Sequence, residues 1–296
     1  MLPLLWWGAA LLLLGGCTTT EKRLSAKEYY TNANGAFVEE NFSKAVEDYR
    51  NLLDQYPLNP YAEEAHLKVA YSYYLDKKYT EAIAAFGDFE RAYPTSTHLP
   101  FVEYYRGMCY LEQMRSIDRD QSVTEKANDF FRNVVERYPD SSFAPQAEEK
   151  IRICRDSLAA HELYIADFNY NFSDNPLATL SRLRRIIELY PETDATPQAL
   201  SRLVKLLNEG EKPELAELAA QALAFRQAAK APGEQFASLD SPDLPPPGVD
   251  PLLTLVPALK KAEDEIRADI YREMVPETQK TEKAMKELSG GMGEEE

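Results

Sequence analysis

The sequence is poor in the residues that carry catalytic or metal chemistry. Its 296 residues include three cysteines and three histidines. His66, His98 and His161 have no cysteine or carboxylate at metal-ligand spacing. A glutamate follows His161, but no second histidine lies four residues on, which excludes a helical zinc-protease site. There is no nucleophile elbow, phosphate-binding loop or dinucleotide fingerprint. These absences point away from an enzyme and call for no cofactor and no metal. Basic charge is also short, with 33 Lys and Arg against 49 Asp and Glu, a net charge of −16. A general nucleic-acid surface needs a basic stripe, so no nucleic-acid partner is expected. The one long apolar run, near the N-terminus, is too short to span a bilayer comfortably.

What the sequence does contain is a repeat. In YTEAIAAFGDFERAYP, Tyr79 to Pro94, a small residue (Ala82) is followed by rings at Phe86 and Phe89 and a Tyr93-Pro94 stop. The stretch from Phe42 to Pro57 repeats it with Ala45, Tyr49, Leu52 and Tyr56-Pro57. Thr124 to Pro139 repeats it again with Ala127, Phe131, Val134 and Tyr138-Pro139. A looser copy ends at Tyr190-Pro191, with Leu183 and Ile186 in place of the rings. Positions i, i+4 and i+7 share one face of an α-helix. Alanine lets a neighbouring helix approach, and proline ends the helix because it lacks an N–H and restricts the residue before it. A second helix precedes each copy, as in Tyr61 to Leu75. Small residue, aromatic, turn, alanine, aromatic and proline make up the tetratricopeptide pattern. Each unit buries its apolar face only against the next, so the predicted fold is all-α, a tetratricopeptide-repeat solenoid of about five helical pairs.

Along the chain, residues 1–16 and Cys17 read MLPLLWWGAALLLLGGC. This is the apolar core of a secretion signal. Leu14-Gly15-Gly16-Cys17 resembles a bacterial lipobox, which implies cleavage before Cys17 and acylation of it, although no Lys or Arg lies near Met1. An ordinary signal or a buried cysteine is the alternative. Acyl chains would tether the domain to a membrane and leave it in water. In similar lipoproteins an aspartate after the cysteine favours the inner membrane; Thr18 stands there, implying an outer-membrane address. Residues 17–24 form a lipidated tether.

Helices are predicted over Ser25 to Glu40 and Phe42 to Gln55, then over Tyr61 to Tyr93 as the second repeat. The third repeat holds Phe101 to Met114 and a long polar connection, Arg115 to Lys126, that serves either as a contact loop or as a solvated spacer. Ser142 to Asn171 is predicted as one long helix with Pro145 in its first turn. After the fourth repeat, Thr196 to Asn208 and Pro213 to Ala229 form a fifth pair that closes the repeat domain, 25–229. Residues 230–251, rich in proline and acid, read as an extended linker. Residues 252–296 read as a charged helical or disordered tail, interrupted at Pro257 and Pro276, so the C-terminal extension is partly disordered.

Beyond the generic repeat, AEEAHLKVAYSYYLDKKYTEAIAAFGDF, YPTSTHLPFVEYYRGMCYLEQM and SLAAHELYIADFNY resemble the BamD family. These are the tetratricopeptide lipoproteins of the outer-membrane β-barrel assembly machine. The resemblance covers Cys17 to Ala224 and includes the lipobox, the Asp118-Arg119-Asp120 loop and the Leu158 to Tyr164 segment. It implies a non-catalytic scaffold facing the periplasm. The implied partners are the periplasmic domains of the barrel-forming subunit BamA, other lipoproteins of the machine, unfolded outer-membrane protein segments, and the membrane through acyl chains. Another periplasmic repeat adaptor, such as an envelope or division coordinator, is the alternative, although such proteins carry an N-terminal coiled coil that is not seen here. The chain departs from the family at Asn171 to Leu183, where the usual glycine turn and aromatic are missing, and after Ala231.

In such a solenoid the first helix of each pair lines the concave face. That places Tyr30, Asn34 and Phe37, then Leu67, Tyr71 and Tyr74, then Tyr104, Met108 and Leu111 as candidates to hold an extended apolar-aromatic peptide. Packing between repeats is the rival reading. The 18 tyrosines exceed what the repeat cores use, which also suits binding. Arg182, Arg184 and Arg185 lie on the fourth repeat's second helix. The resemblance matches them to the arginine-bearing helix that faces BamA; a solvated face is the alternative. Cys109 and Cys154 lie on different helices and are either a disulfide, permitted in the periplasm, or two small buried thiols.

Overall fold

The computed structural model describes residues 24–230 and 250–290. The signal segment, Cys17 and most of the proline-rich linker lie outside the described residues. Among those described are eleven α-helices and no strand. They are α1 (Ala26–Val38), α2 (Phe42–Gln55), α3 (Ala62–Leu75), α4 (Tyr79–Ala92), α5 (Leu99–Leu111), α6 (Ser122–Arg137), α7 (Ala144–Asn171), α8 (Pro176–Leu189), α9 (Ala195–Glu209), α10 (Pro213–Lys230) and α11 (Leu252–Gly290). They divide into two compact units, Met1–Tyr93 with α1–α4 and Pro94–Glu296 with α5–α11. In both, successive helices pack as antiparallel neighbours in the tetratricopeptide manner, so the all-α repeat reading holds.

The helix boundaries follow from local chemistry. At α1, Ser25 and Glu28 form a reciprocal capping box: the Glu28 N–H donates to Ser25 Oγ at 3.3 Å, and the Ser25 N–H donates to Glu28 Oε2 at 2.8 Å. The side chains of Asn41 and Asn175 cap α2 and α8 by accepting from Lys44 N–H at 3.3 Å and Ala178 N–H at 3.0 Å. Pro145 and Pro176 occupy first turns, where no N–H is needed.

The four Tyr-Pro stops share one geometry. Tyr56, Tyr93, Tyr138 and Tyr190 sit at φ −137°, −130°, −134° and −131°, with ψ between 45° and 62°. Each still donates its N–H to the carbonyl four residues back, and the following proline forbids the next helical residue.

Inside the pairs, Glu40, Lys77, Asp174 and Glu211 take positive φ, between 43° and 57°. At three of these turns a bond over five residues closes the helix: Asn41 to Ala36, Lys78 to Tyr73 and Lys212 to Leu207, each 2.9 Å from N–H to carbonyl. This is the left-handed stop that glycine usually fills. The turn between α5 and α6 lacks it. That connection is shorter than the sequence suggested, because Ser122 already begins α6.

The repeat positions are the core. Ala45, Tyr49 and Leu52, Ala82, Phe86 and Phe89, and Ala127, Phe131 and Val134 are fully buried, as are Leu183 and Ile186 of the looser copy. Gly107 on α5 is required by packing, since a Cβ there would stand 2.8 Å from the Phe131 ring. α7 packs on α6, α8 and α9, which accounts for its length.

The C-terminal segment departs from expectation. Pro257 and Pro276 lie inside the single helix α11 rather than interrupting it. Pro257 forfeits one intrahelical bond. Burial of Leu255 and Leu259 around it, in a cluster with α8, α9 and α10, outweighs that loss. Each fully buried leucine contributes roughly 1.5–3 kcal/mol.

Candidate interaction surfaces

In the unit Met1–Tyr93, five of the predicted groove residues are half-buried rather than sealed: Tyr30, Phe37, Leu67, Tyr71 and Tyr74. Tyr30 stacks on Tyr61 with ring centroids 4.4 Å apart and meets Tyr49 edge-on. Phe37 lies 6.1 Å from Tyr71, which is stacked with Tyr74 at 6.0 Å, and Lys68 Nζ sits 4.2 Å over the Phe37 ring. Tyr30 is thus braced by Tyr61 and Tyr49, and Phe37, Tyr71 and Tyr74 by one another, while all four keep part of their surface in solvent. Asn34 is committed inward, because its Oδ1 accepts from the Tyr49 hydroxyl at 2.6 Å.

In the unit Pro94–Glu296, the reading fails for Tyr104. Its ring is 6% exposed and packs among Tyr105, Phe131 and Phe143, so it is core rather than groove. The reason is the glycine one turn on: Gly107 brings α6 so close that Phe131 closes over this face of α5. Met108 and Leu111 remain half-buried at the edge of the same cluster.

The three arginines of α8 separate into two environments. Arg182 donates to Glu162 of α7 at 2.8 Å, and Arg185 lies 3.1 Å from the other oxygen of the same carboxylate. Glu162 is buried while both guanidinium groups reach solvent. One buried negative charge thus holds two exposed positive ones, leaving a local excess of one cation. Arg184 is different. Its side chain is 14% exposed and donates to Glu263 of α11 at 2.9 Å and to Glu188. Burial alone would raise the Glu263 carboxyl; Arg184, helped by Arg267, reverses this and holds it below the usual carboxylate range.

The Asp118-Arg119-Asp120 loop is tied down. Gln121 donates to the Ser116 and Arg119 carbonyls, each at 3.0 Å, and accepts from Thr124 Oγ1 at 2.9 Å. His161 on α7 has its Nδ1 2.6 Å from the Ile117 carbonyl. Cys109 and Cys154 are free, fully buried thiols, and burial pushes each up to about 12. Thiols so disfavoured as thiolates are inert at neutral pH.

One feature escaped the sequence reading. Tyr164 and Phe168 are exposed on α7, and Phe172, its C-cap residue, is 79% exposed with its ring 5.6 Å from that of Phe168. Their i, i+4, i+8 spacing was visible, but the repeat pattern assigns aromatics at such spacing to the core. Among the described residues no group of His, Cys, Asp and Glu could hold a metal ion, and no helix is long and apolar enough to cross a membrane.

A family model described as outer membrane lipoprotein, YfiO, matches residues 22–221, from the start of the described chain into α10. The chain belongs to this outer membrane lipoprotein family. It is 34% identical over 165 residues to the outer membrane protein assembly factor BamD of Caulobacter vibrioides, covering 56% of this chain and 54% of the relative. Over 164 residues it is 30% identical to the protein of that name from Rickettsia prowazekii, covering 55% of this chain and 65% of the relative. Over 216 residues it is 31% identical to the Pasteurella multocida protein of that name, covering 69% and 80%. The chain thus spans about half the length of the Caulobacter relative and under two thirds of the Rickettsia one. All of α11 lies beyond the family match.

Proposed function

We propose that this protein is a non-catalytic adaptor for assembling outer-membrane β-barrel proteins, anchored in the outer membrane by acyl chains on Cys17 and facing the periplasm. The observation that carries this reading is the family match running through every helical pair from α1 to α9 and into α10. Relatives in three bacteria bear the name of outer membrane protein assembly factor. The lipobox at Leu14 to Cys17 supports the anchor.

Two surfaces divide the work. The braced rings Tyr30, Phe37, Tyr71 and Tyr74, with Leu67, all in the unit Met1–Tyr93, receive extended apolar-aromatic segments of unfolded outer-membrane proteins; Met108, in the unit Pro94–Glu296, is a separate contact for such segments. Half-buried aromatics suit this, because they offer contact area at little cost in side-chain entropy. Arg182 and Arg185 face the barrel-forming subunit, a homologue of BamA, and the machine's other lipoproteins assemble around the same scaffold. The uncompensated positive charge beside Glu162 supports this, since it steers an acidic patch and fixes its register.

Affinity purification of the full-length protein from detergent-solubilised membranes tests the reading. The BamA homologue is expected to co-purify, and Arg182→Glu with Arg185→Glu is expected to reduce its recovery at least tenfold. Repeated absence of that subunit from the wild-type preparation overturns the assignment.

A further inference from the structure

The part of α8 that carries Arg184 already has an occupant. The first turns of α11 lie on α8 and α10. Leu252, Leu255, Leu259 and Ala262 are buried there, with Ile266 packed at the edge. These positions follow the i, i+3, i+7 seam of a helix laid against helices. Glu263 sits beside the seam with its side chain 5% exposed and reaches Arg184 at 2.9 Å. At the near end, Asp250 pairs with Arg226 of α10 and accepts from the Leu252 N–H at 3.0 Å. From Arg267 to Arg272 every residue is exposed, so up to Arg272 the last packed position is Ile266.

We propose that α11 is an intramolecular strap: it covers the Arg184 face of α8 in the resting chain and withholds that arginine from partners until it lifts. The strap also states what kind of partner the face accepts. It fits an amphipathic segment that offers a carboxylate beside a row of leucine-sized side chains, as α11 does. The exposed pair Arg182 and Arg185 makes first contact, and Arg184 joins once α11 is displaced. Because α11 lies outside the family match, the strap is an addition to the shared scaffold rather than part of it. The withholding role rests on the reading that α8 faces the barrel-forming subunit; the covering of Arg184 does not.

If α11 is closed most of the time, the partner's apparent affinity is reduced by the fraction of chains that are open. Two full-length variants release it. Leu255→Asp with Leu259→Asp breaks the apolar seam. Glu263→Arg keeps the seam and sets like charges together at Arg184. Hydrogen exchange across α8–α10 checks that each variant remains folded.

In the first arm, phenylglyoxal modification is followed residue by residue by mass spectrometry on the protein alone. Arg184 is expected to react at least tenfold more slowly than Arg185 in the wild type, and as fast as Arg185 in both variants. Equal rates in the wild type overturn the strap. In the second arm, the purified periplasmic domains of the BamA homologue are titrated into each protein. The released variants are expected to bind at least tenfold more tightly, and adding Arg184→Glu is expected to abolish the gain. Unchanged affinity in variants that label as released overturns the withholding role. If those domains bind none of the proteins, the adaptor reading fails, and the labelling rates alone decide whether α11 covers Arg184.

Discussion

The unit Met1–Tyr93 and the α8–α11 end of the unit Pro94–Glu296 build the same helix pair from different cores, while α5–α7 keep the aromatic kind. In α1–α4 the interior is aromatic: Tyr49, Phe86 and Phe89 fill it, and further rings brace the flank. Around α8–α11 it is aliphatic: Leu180, Leu183, Ile186, Leu200, Leu203, Leu255 and Leu259. A ring spans the space between two helices by itself. A leucine reaches less far, and the aliphatic region gathers more helices about α8, with α7, α9 and α11 all against it. The polar consequence is parallel. The aromatic unit α1–α4 leaves half-exposed rings on its surface, and the aliphatic region α8–α11 leaves arginines tied to buried carboxylates. One repeat pattern therefore yields an apolar contact face in one place and a charged one in another.

The strongest way to break this comparison is to remove one core residue from each unit. Phe86→Ala is expected to cost about 3–5 kcal/mol and Leu183→Ala about 2–5 kcal/mol, because both leave cavities among fully buried neighbours. Hydrogen exchange should localise the damage. Phe86→Ala should loosen α3 and α4 while α8 and α9 stay protected, and Leu183→Ala should do the reverse. If either variant loosens both units equally, the two cores are not separate cooperative bodies.

Next in size is Gly107→Ala. The added methyl would meet the Phe131 ring at 2.8 Å, and that ring is fully buried and cannot swing aside. Denaturant unfolding should show a loss of about 1–3 kcal/mol, the usual cost of overpacking. A neutral or stabilising result would mean that α5 and α6 can separate, and it would reopen Tyr104 as a surface residue.

Much of this was legible in the residues. The small-aromatic spacing and the Tyr-Pro stops located the repeat helices to within a residue or two, because each signal acts within one turn of helix. Pro145 and Pro213 marked helix starts for the same local reason. What failed was non-local. Tyr104 looked like a groove residue because its position in the repeat says so, yet a glycine one turn later drew α6 over it. Pro257 looked like a break because its local cost is real, yet leucines on both sides found a core in other helices. The pairing of Arg184 with Glu263 joins residues 79 apart and has no signature in sequence. The division of the three arginines into a shared exposed pair and a covered one could be read only from the packed helices.

A smaller effect sharpens the comparison by asking whether the turns, unlike the cores, are alike in both units. Lys77 and Glu211 hold φ 57° and 55°, where an L side chain is strained by about 1–2 kcal/mol and glycine is not. Glycine also loses more entropy on folding, so Lys77→Gly and Glu211→Gly should each stabilise by about 0.5–1 kcal/mol. Thermal unfolding should show both midpoints rising by similar amounts. A gain at one turn only would mean that its side chain makes contacts which offset the strain.

The smallest effect belongs to the aromatic unit alone. His66 is half-buried against Tyr93, ring centroids 5.7 Å apart, and burial lowers its pKa despite the opposing charge of Asp88. An imidazole that resists protonation when folded binds fewer protons than its unfolded counterpart. Stability is then complete above the unfolded pKa, near 6.5, and declines as pH falls below it. His66→Gln removes that proton linkage. Between pH 7.5 and pH 5.5 the wild-type unfolding midpoint should fall more than the variant's, and the difference should appear in the unfolding of α3 and α4. Parallel pH profiles for the two proteins would mean that the imidazole is hydrated, and that this edge of the aromatic core is wetter than its packed rings imply.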